Sequence, residues 1–496
     1  MQKYEIIQWT FSILSLLWVF CFGAVVGSFL NVLAYRMPRG LNVVSPPSAC
    51  PACGTRLTWR ENVPILGWLR LGGKCRFCQS KISPEYPIVE FVTGALFAIP
   101  YAMWFMDPSI LGNTLSIAPE WASNPLWGAV WPYFLALLAL LGTLTAITLI
   151  DAKTFTIPLS LPVFATIVGL IAHLGMGAWH QMAGVRMHTA PEFGWVIPLP
   201  TGPFVGLTVG ALLGLVISNA LLWAGAIRHS FHDYEEWEAG ALKEMEALKD
   251  AGGDAEDSGE HISITSLLAR TLALTGPCIA LMFIGFSVGI RTGHVQQGIG
   301  IGAGVGLLIG MFLRRAIATP TGDDEPIWLH YPNTTREILR ELVFLIPAIL
   351  LGIAGFALTT ATGPLGASAA SPPLWLHATL GSVFGYLVGG GAIWALRIFG
   401  SLAFGREAMG LGDVHLLACV GAVVGWADPM IAFVLAPFIA IAWFLLSTVF
   451  SSVFNRKGTA IPFGPHLAAA SVLVLFAKPI FESALGMILG KTINLP

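Results

Sequence analysis

Charge is what this chain has least of. Only 11% of its 496 residues are charged, against about 25% in a soluble domain. That scarcity excludes an ordinary soluble globular fold, which would have too few ions to cover its surface. The formal net charge is −2, and no nucleic-acid partner is expected. A cleavable secretory signal is not expected either. The first apolar run, Ile6 to Leu30, follows only Lys3 and Glu5. It is longer than the roughly 7–15 residues of a signal core, and no A-x-A-like site comes after it. The run therefore reads as an uncleaved first helix. There is no clear internal repeat. Nor is there a dinucleotide fingerprint. The glycines of "GIGIGAGVG", Gly298 to Gly306, alternate within an apolar run, where they let membrane helices approach closely.

What is present is apolar length. Residues of hydrophobic type make up 55% of the chain, in repeated runs of about 20 residues, enough to cross the hydrocarbon core. The fold class is an all-α polytopic membrane protein with about twelve transmembrane helices. The spans are expected at 6–31, 87–106, 128–150, 157–179, 203–227, 266–290, 297–313, 341–362, 377–399, 411–426, 429–453 and 461–480. Lys and Arg gather in segments 32–86, 151–156, 228–265, 314–340, 400–410 and 454–460, with Arg397 at a helix end. Segments 107–127 and 363–376 have none, and 180–202 has only Arg186. By the positive-inside rule the N-terminus lies outside.

The chain thus divides into a first helix, 1–31, an insert, 32–86, and helices over 87–227. An acidic loop at 228–265, further helices at 266–399 and a last group at 400–496 follow. Between Arg228 and Glu260 there are eleven acids against three bases. Tyr234 to Ala251 reads as a short amphipathic helix and "GGDAEDSGE" as a flexible linker. The loop is read as a solvated surface, with a partner-docking role as the alternative.

Four of the cysteines are concentrated in the insert. Cys50 and Cys53 form one C-x-x-C pair, Cys75 and Cys78 another, with twenty-one residues between the pairs. The spacing is close to that of a zinc ribbon. Two intervening residues let a tight turn aim both thiolates at one tetrahedral ion, and Pro51, Gly54, Gly72 and Gly73 supply turns. Arg56, Arg60, Arg70, Lys74, Arg76 and Lys81 offset the charge of a four-thiolate zinc site and place the insert on the inner, reducing face. Structural Zn2+ is the preferred reading; redox dithiols and unliganded thiols are the other two. Cys21, Cys278 and Cys419 lie singly in apolar runs and read as buried small hydrophobes.

Two acids stand at one expected water level. Asp151 ends the run "TLTAITLIDAKTFTIP", and Asp413 stands where "REAMGLGDVHLLACVGAVVGW" turns into an apolar helix. If they face each other, one carboxylate acts as base on water and the other as acid on a carbonyl, sharing one proton. Gly410 and Gly412 would let a substrate backbone approach. On the residues alone the alternatives stay open. Asp413 could be a charge at a helix N-terminus, Asp151 could pair with Lys153, and either could relay protons.

Four blocks resemble the type IV prepilin leader peptidases, which are membrane-embedded aspartic proteases. They are "GAVVGSFLNVLAYRMP", the cysteine insert running into "ISPEYPIVEFVTGALF", "LIDAKTFTIP" and "GLGDVHLLACVGAVVGW". A later "IPFGPHLAAA", from Ile461, resembles the family's F-G-P block. The resemblance implies that Asp151 and Asp413 are the catalytic pair, at the inner face of a bacterial cytoplasmic membrane. It implies prepilin or pseudopilin substrates with short basic leaders, cleaved after a glycine just before an apolar stalk. Methylation of the new N-terminal amine with S-adenosylmethionine is implied as well, without a recognisable donor-binding motif. Three features depart from the family. His415 replaces the usual Lys, Glu85 stands where a base is common, and 262 positions separate the aspartates. A membrane scaffold and a proton-coupled carrier are the competing readings. Among other residues, Trp9, Trp18, Trp104, Trp127 and Trp131 read as interfacial anchors. Arg270 reads as snorkelling to the inner interface. His173, His180 and His188 lack ligand spacing. Glu90 reads as structural, with contact to the methyl donor as the alternative.

Overall fold

The computed structural model describes residues 2–106, 127–182, 202–234, 333–362, 373–404, 407–454 and 462–489, with a few isolated positions besides. Twelve α-helices are named here in chain order. They are α1 (Gln2–Arg36), α2 (Leu66–Arg70), α3 (Glu85–Phe105), α4 (Trp127–Thr154), α5 (Ser160–Met182) and α6 (Pro203–Trp223). Then come α7 (Thr334–Thr362), α8 (Leu374–Phe404), α9 (Leu411–Val424), α10 (Ala427–Phe454), α11 (Phe463–Phe476) and α12 (Lys478–Leu489). Eight of them are long and apolar enough to cross a membrane. No strand occurs among the described residues beyond two isolated bridges in the insert. The expected spans at 266–290 and 297–313, the amphipathic helix of the acidic loop and the glycine run at 298–306 lie outside the described residues.

The chain forms two compact units. The first comprises Met1–Ile217, Pro347–Ala395 and Gly410–Pro496. Its α1 and α3 pack along Gly23 and Gly27, the small residues of "GAVVG". A Cβ on Gly27 would stand 2.8 Å from the Glu90 Cα, so only glycine allows this approach. The centre is α4 and α9. Leu140, Leu144, Ile147 and Ile150 of α4 are fully or almost fully buried, as is α9 from Leu416 to Val424. With 14 residues, α9 is only about 21 Å long, short of a bilayer core. It nevertheless persists, because α4, α5, α10 and α11 surround it and little of it meets lipid. Gly425, with φ at +92°, ends it.

The last expected span, 461–480, is two elements. α11 ends at Phe476, and α12 starts at Lys478, which pairs with the buried Asp428 at 3.2 Å. Pro479, the second residue of α12, has no N–H with which to continue α11 and sets the break.

The second unit comprises Ser218–Ile346 and Leu396–Met409. Its core is ionic. Arg397, 2% exposed, donates from Nε and Nη2 to Glu341 at 2.9–3.1 Å, and from Nη1 to Glu407 and to the Met409 carbonyl. Arg397 is therefore a paired, buried charge. Cys419 is buried as expected, but Cys21 is exposed on α1.

Candidate active site and the four-cysteine insert

Asp151 lies in the last turn of α4 and is 4% exposed. The start of α11 lies against its carboxylate. Gly464, second residue of that helix, directs its backbone N–H to it. A Cβ there would stand 2.4 Å from Asp151 Oδ2, so no larger residue fits. Free N–H groups at a helix start favour an anion. Lys153 does not take Asp151 as its ion partner; it pairs with Glu85 at the start of α3. The acid at position 85, unusual against the family pattern, thus has a local partner.

Asp413 lies in the first turn of α9 and is 8% exposed. Its N–H donates to the Gly410 carbonyl at 3.3 Å, and a Cβ on Gly410 would meet Asp413 Oδ2 at 3.6 Å. That spacing is ordinary contact, so a methyl group would fit at this position.

Ile157 links the two acid-bearing segments. A Cβ on Gly412 would lie 2.7 Å from the Ile157 Cβ, and one on Gly464 would lie 3.1 Å from its Cδ1. One isoleucine side chain therefore packs against both the glycine before Asp413 and the glycine that contacts Asp151. Helices α4, α9 and α11 pack on one another. The four residues named for this site from sequence, Asp151, Asp413, Gly410 and Gly412, gather at this junction. Gly464 and Ile157 were not singled out from sequence. The F-G-P resemblance was the available signal for the first; nothing local marked the second.

The insert repeats one local design. Cys50 N–H donates to Thr55 O, and Gly54 N–H to Cys50 O; Cys75 N–H donates to Ser80 O, and Gln79 N–H to Cys75 O. Fourth after each leading cysteine comes a left-handed residue, Gly54 at φ +69° and Gln79 at +59°. The four Sγ atoms of Cys50, Cys53, Cys75 and Cys78 lie within 4.8 Å of one another, with Cys50 and Cys78 at 3.8 Å. Zn–S bonds of about 2.3 Å in a tetrahedron put ligands about 3.8 Å apart. The donor set therefore fits a metal ion. Backbone N–H groups of Cys53 and Ala52, then the Ser80 hydroxyl, bring the Cys50 thiol down to about 6. The Ser80 hydroxyl and N–H also lower Cys78. Both changes favour the thiolate that a metal requires.

Glu90 couples the insert to the helices. Its Oε2 accepts the Ile65 N–H at 2.6 Å, where Ile65 holds a left-handed φ of +61°. Trp68 Nε1–H donates to Ile82 O at 3.1 Å, and Asn31 Nδ2–H to Tyr86 O at 3.2 Å. A structural role for Glu90 accounts for these contacts. His173 is buried, with Nε2 at 2.9 Å from Val423 O.

Residues 21–104 match the family described as Bacterial Peptidase A24 N-terminal domain. The chain is similar to a Prepilin leader peptidase/N-methyltransferase of Myxococcus xanthus (strain DK1622), 36% identical over 165 residues, covering 33% of this chain and 42% of that protein. It resembles one of Klebsiella pneumoniae, 35% identical over 162 residues, covering 32% and 60%. A third, of Aeromonas salmonicida (strain A449), is 29% identical over 231 residues, covering 42% and 63%. In each case the chain spans less than two thirds of the relative's length. No solved structure matches.

Proposed function

We propose, for a chain that belongs to the type IV prepilin peptidase family, that Asp151 and Asp413 hydrolyse the leader peptides of prepilins or pseudopilins. What supports the reading is that one side chain, Ile157, packs against both Gly412, the neighbour of the buried Asp413, and Gly464, which contacts the buried Asp151. One carboxylate takes a proton from water as the water oxygen bonds to the scissile carbonyl carbon. The other, protonated, gives its proton to the carbonyl oxygen. The tetrahedral diol then collapses. Its hydroxyl proton returns to one carboxylate, the proton held by the other passes to the amide nitrogen, and the C–N bond breaks. The Gly464 N–H orients Asp151 without adding a charge. Neither a covalent nucleophile nor a catalytic metal is required by this route.

The active site belongs on the cytoplasmic face, with the N-terminus outside, because most Lys and Arg fall in the segments on that side. Short basic leaders reach it there. The four cysteines hold a structural zinc ion; with four protein ligands it has no open position for water and braces the insert. N-methylation of the new terminus with S-adenosylmethionine is inferred from the relatives' printed name, and no residue here is assigned to it. The helix-end positions of both aspartates argue against a proton relay, whose groups usually lie at mid-membrane.

The experiment is processing by purified protein of a prepilin with a basic leader, followed by mass. Asp151→Asn and Asp413→Asn should each abolish loss of the leader while the melting temperature holds. Processing that persists in either variant would exclude the pair and favour a scaffold. Transfer of a labelled methyl group in the same reaction would report the second activity.

A further inference from the structure

The second unit carries a basic groove that the proposed peptide chemistry does not use. It has a volume of about 670 Å³ and is lined by Arg228, Arg336 and Arg340 together with Asn333, Leu339 and Val343. The Arg340 guanidinium is fixed by Glu337, both of whose carboxylate oxygens accept from Nη1 at 2.7 Å. Glu337 also accepts the Phe231 N–H at 3.0 Å, so this acid is saturated and only 2% exposed. Neither Arg228 nor Arg336 forms an ion pair among the described residues. Among the described residues, three arginines thus line one groove, and the carboxylate paired with Arg340 is buried.

The groove also sits at a membrane-boundary depth. It lies where α6 ends and α7 begins, held together by the Ser218 hydroxyl donating to Phe344 O at 2.6 Å. Trp223, the last residue of α6, is 92% exposed, as an interfacial tryptophan would be. Along α7, Leu339, Val343 and Ile346 follow at helical spacing and are 42–48% exposed. A polar, cationic cup therefore opens onto an apolar stripe running into the span. Soluble phosphate esters would use the cup alone; a phospholipid would use both.

We propose that this groove binds an anionic phospholipid, its phosphate held by Arg228, Arg336 and Arg340 and an acyl chain lying along Leu339, Val343 and Ile346. Guanidinium groups suit phosphate because their planar donors meet two oxygens at once, and basic pockets between membrane helices bind acidic headgroups. The site is separate from the aspartate pair and does not depend on peptidase activity.

The test measures lipid binding to the full-length detergent-purified protein by native mass spectrometry, with phosphatidylglycerol, phosphatidylcholine and glycerol 3-phosphate as probes. Phosphatidylglycerol should bind more tightly than phosphatidylcholine. The Arg228→Gln/Arg336→Gln double variant should bind it roughly thirtyfold more weakly, each arginine near a membrane surface being worth about fivefold. The Arg340–Glu337 pair is left intact. Should the double variant melt early, the two single variants carry the comparison, each expected about fivefold weaker. Equal binding of the two lipids, or no change in the single variants, would overturn the proposal. Glycerol 3-phosphate binding as tightly as the lipid would overturn the assignment to a membrane component.

Discussion

The backbone of Gly464 closes on the carboxylate of Asp151 so tightly that a Cβ would stand 2.4 Å from Oδ2. These residues are more than three hundred positions apart in sequence, yet an N–H at a helix start faces an acid at a helix end. The contact restrains the direction of the Asp151 carboxylate.

Gly464→Ala should therefore displace the Asp151 carboxylate by about an ångström and slow leader cleavage on the order of 100-fold. The loss should fall on kcat, with KM little changed, because the substrate leader is not touched. Steady-state kinetics with a melting control reads this. A G464A protein of normal rate would remove Gly464 from the positioning of Asp151.

The second glycine contact gives a coupled pair. Gly412→Ala brings a Cβ to 2.7 Å from the Ile157 Cβ, an overpacking that costs about 1–3 kcal/mol. Ile157→Gly in the same chain removes the Cβ that the new methyl would strike, together with the Cγ1 and Cδ1 behind it. The double variant should regain stability and cleavage relative to Gly412→Ala alone. A double-mutant cycle in unfolding and in rate checks it; strict additivity would mean that the two residues do not share this contact.

Much of the architecture was legible because hydropathy and length decide what can enter a bilayer, and eight long apolar helices bear that out. The cysteine cluster was legible for a similar reason: C-x-x-C spacing encodes a local turn. What could not be read was long-range pairing. Lys478 finding Asp428, and Lys153 finding Glu85 instead of Asp151, depend on helix packing that no sequence window contains. The partner of Arg397, Glu341, was likewise not readable from any local stretch. Gly464 was visible only as part of a family block, since its role is set by what it touches.

If the insert holds zinc, the purified protein should contain one equivalent per chain. Chelation should then expose all four thiols, including those of the buried Cys50 and Cys75, to alkylation. Metal analysis and thiol labelling by mass are the measurements. Protein isolated without metal and with each C-x-x-C pair two hydrogens lighter, as a disulfide, would favour the redox reading.

The buried Arg397–Glu341 pair predicts an asymmetry. Arg397→Met leaves Glu341, 3% exposed, without its charge partner, and should destabilise by about 3–5 kcal/mol. Replacing both, as Arg397→Met/Glu341→Leu, should recover most of that loss, since the remaining Glu407 is 37% exposed and can hydrate. Unfolding in denaturing detergent compares the three proteins. A double variant no better than the single would assign the loss to packing of the arginine stem or to the freed Met409 carbonyl.

Glu61 makes part of the insert's stability pH-dependent. The Thr58 hydroxyl, then Arg76 at 3.0 Å, then the Thr58 N–H at 2.8 Å lower its carboxyl from an ordinary 4.5 to about 2. A folded value below the unfolded one means that the native turn binds its proton less readily than the open chain does. The stabilisation is therefore complete above about pH 4.5 and is lost as pH falls toward about 2. Glu61→Gln removes the charge, so wild type and variant should differ by a constant amount from pH 7 to about 5 and converge below that. Zinc contributes to both proteins alike and largely cancels in the difference. Insert unfolding, followed by tryptophan emission from the neighbouring Trp59 and Trp68, provides the comparison. A gap that stayed constant down to pH 3 would show that the shape of the Glu61 side chain, and not its charge, holds the Thr58 turn.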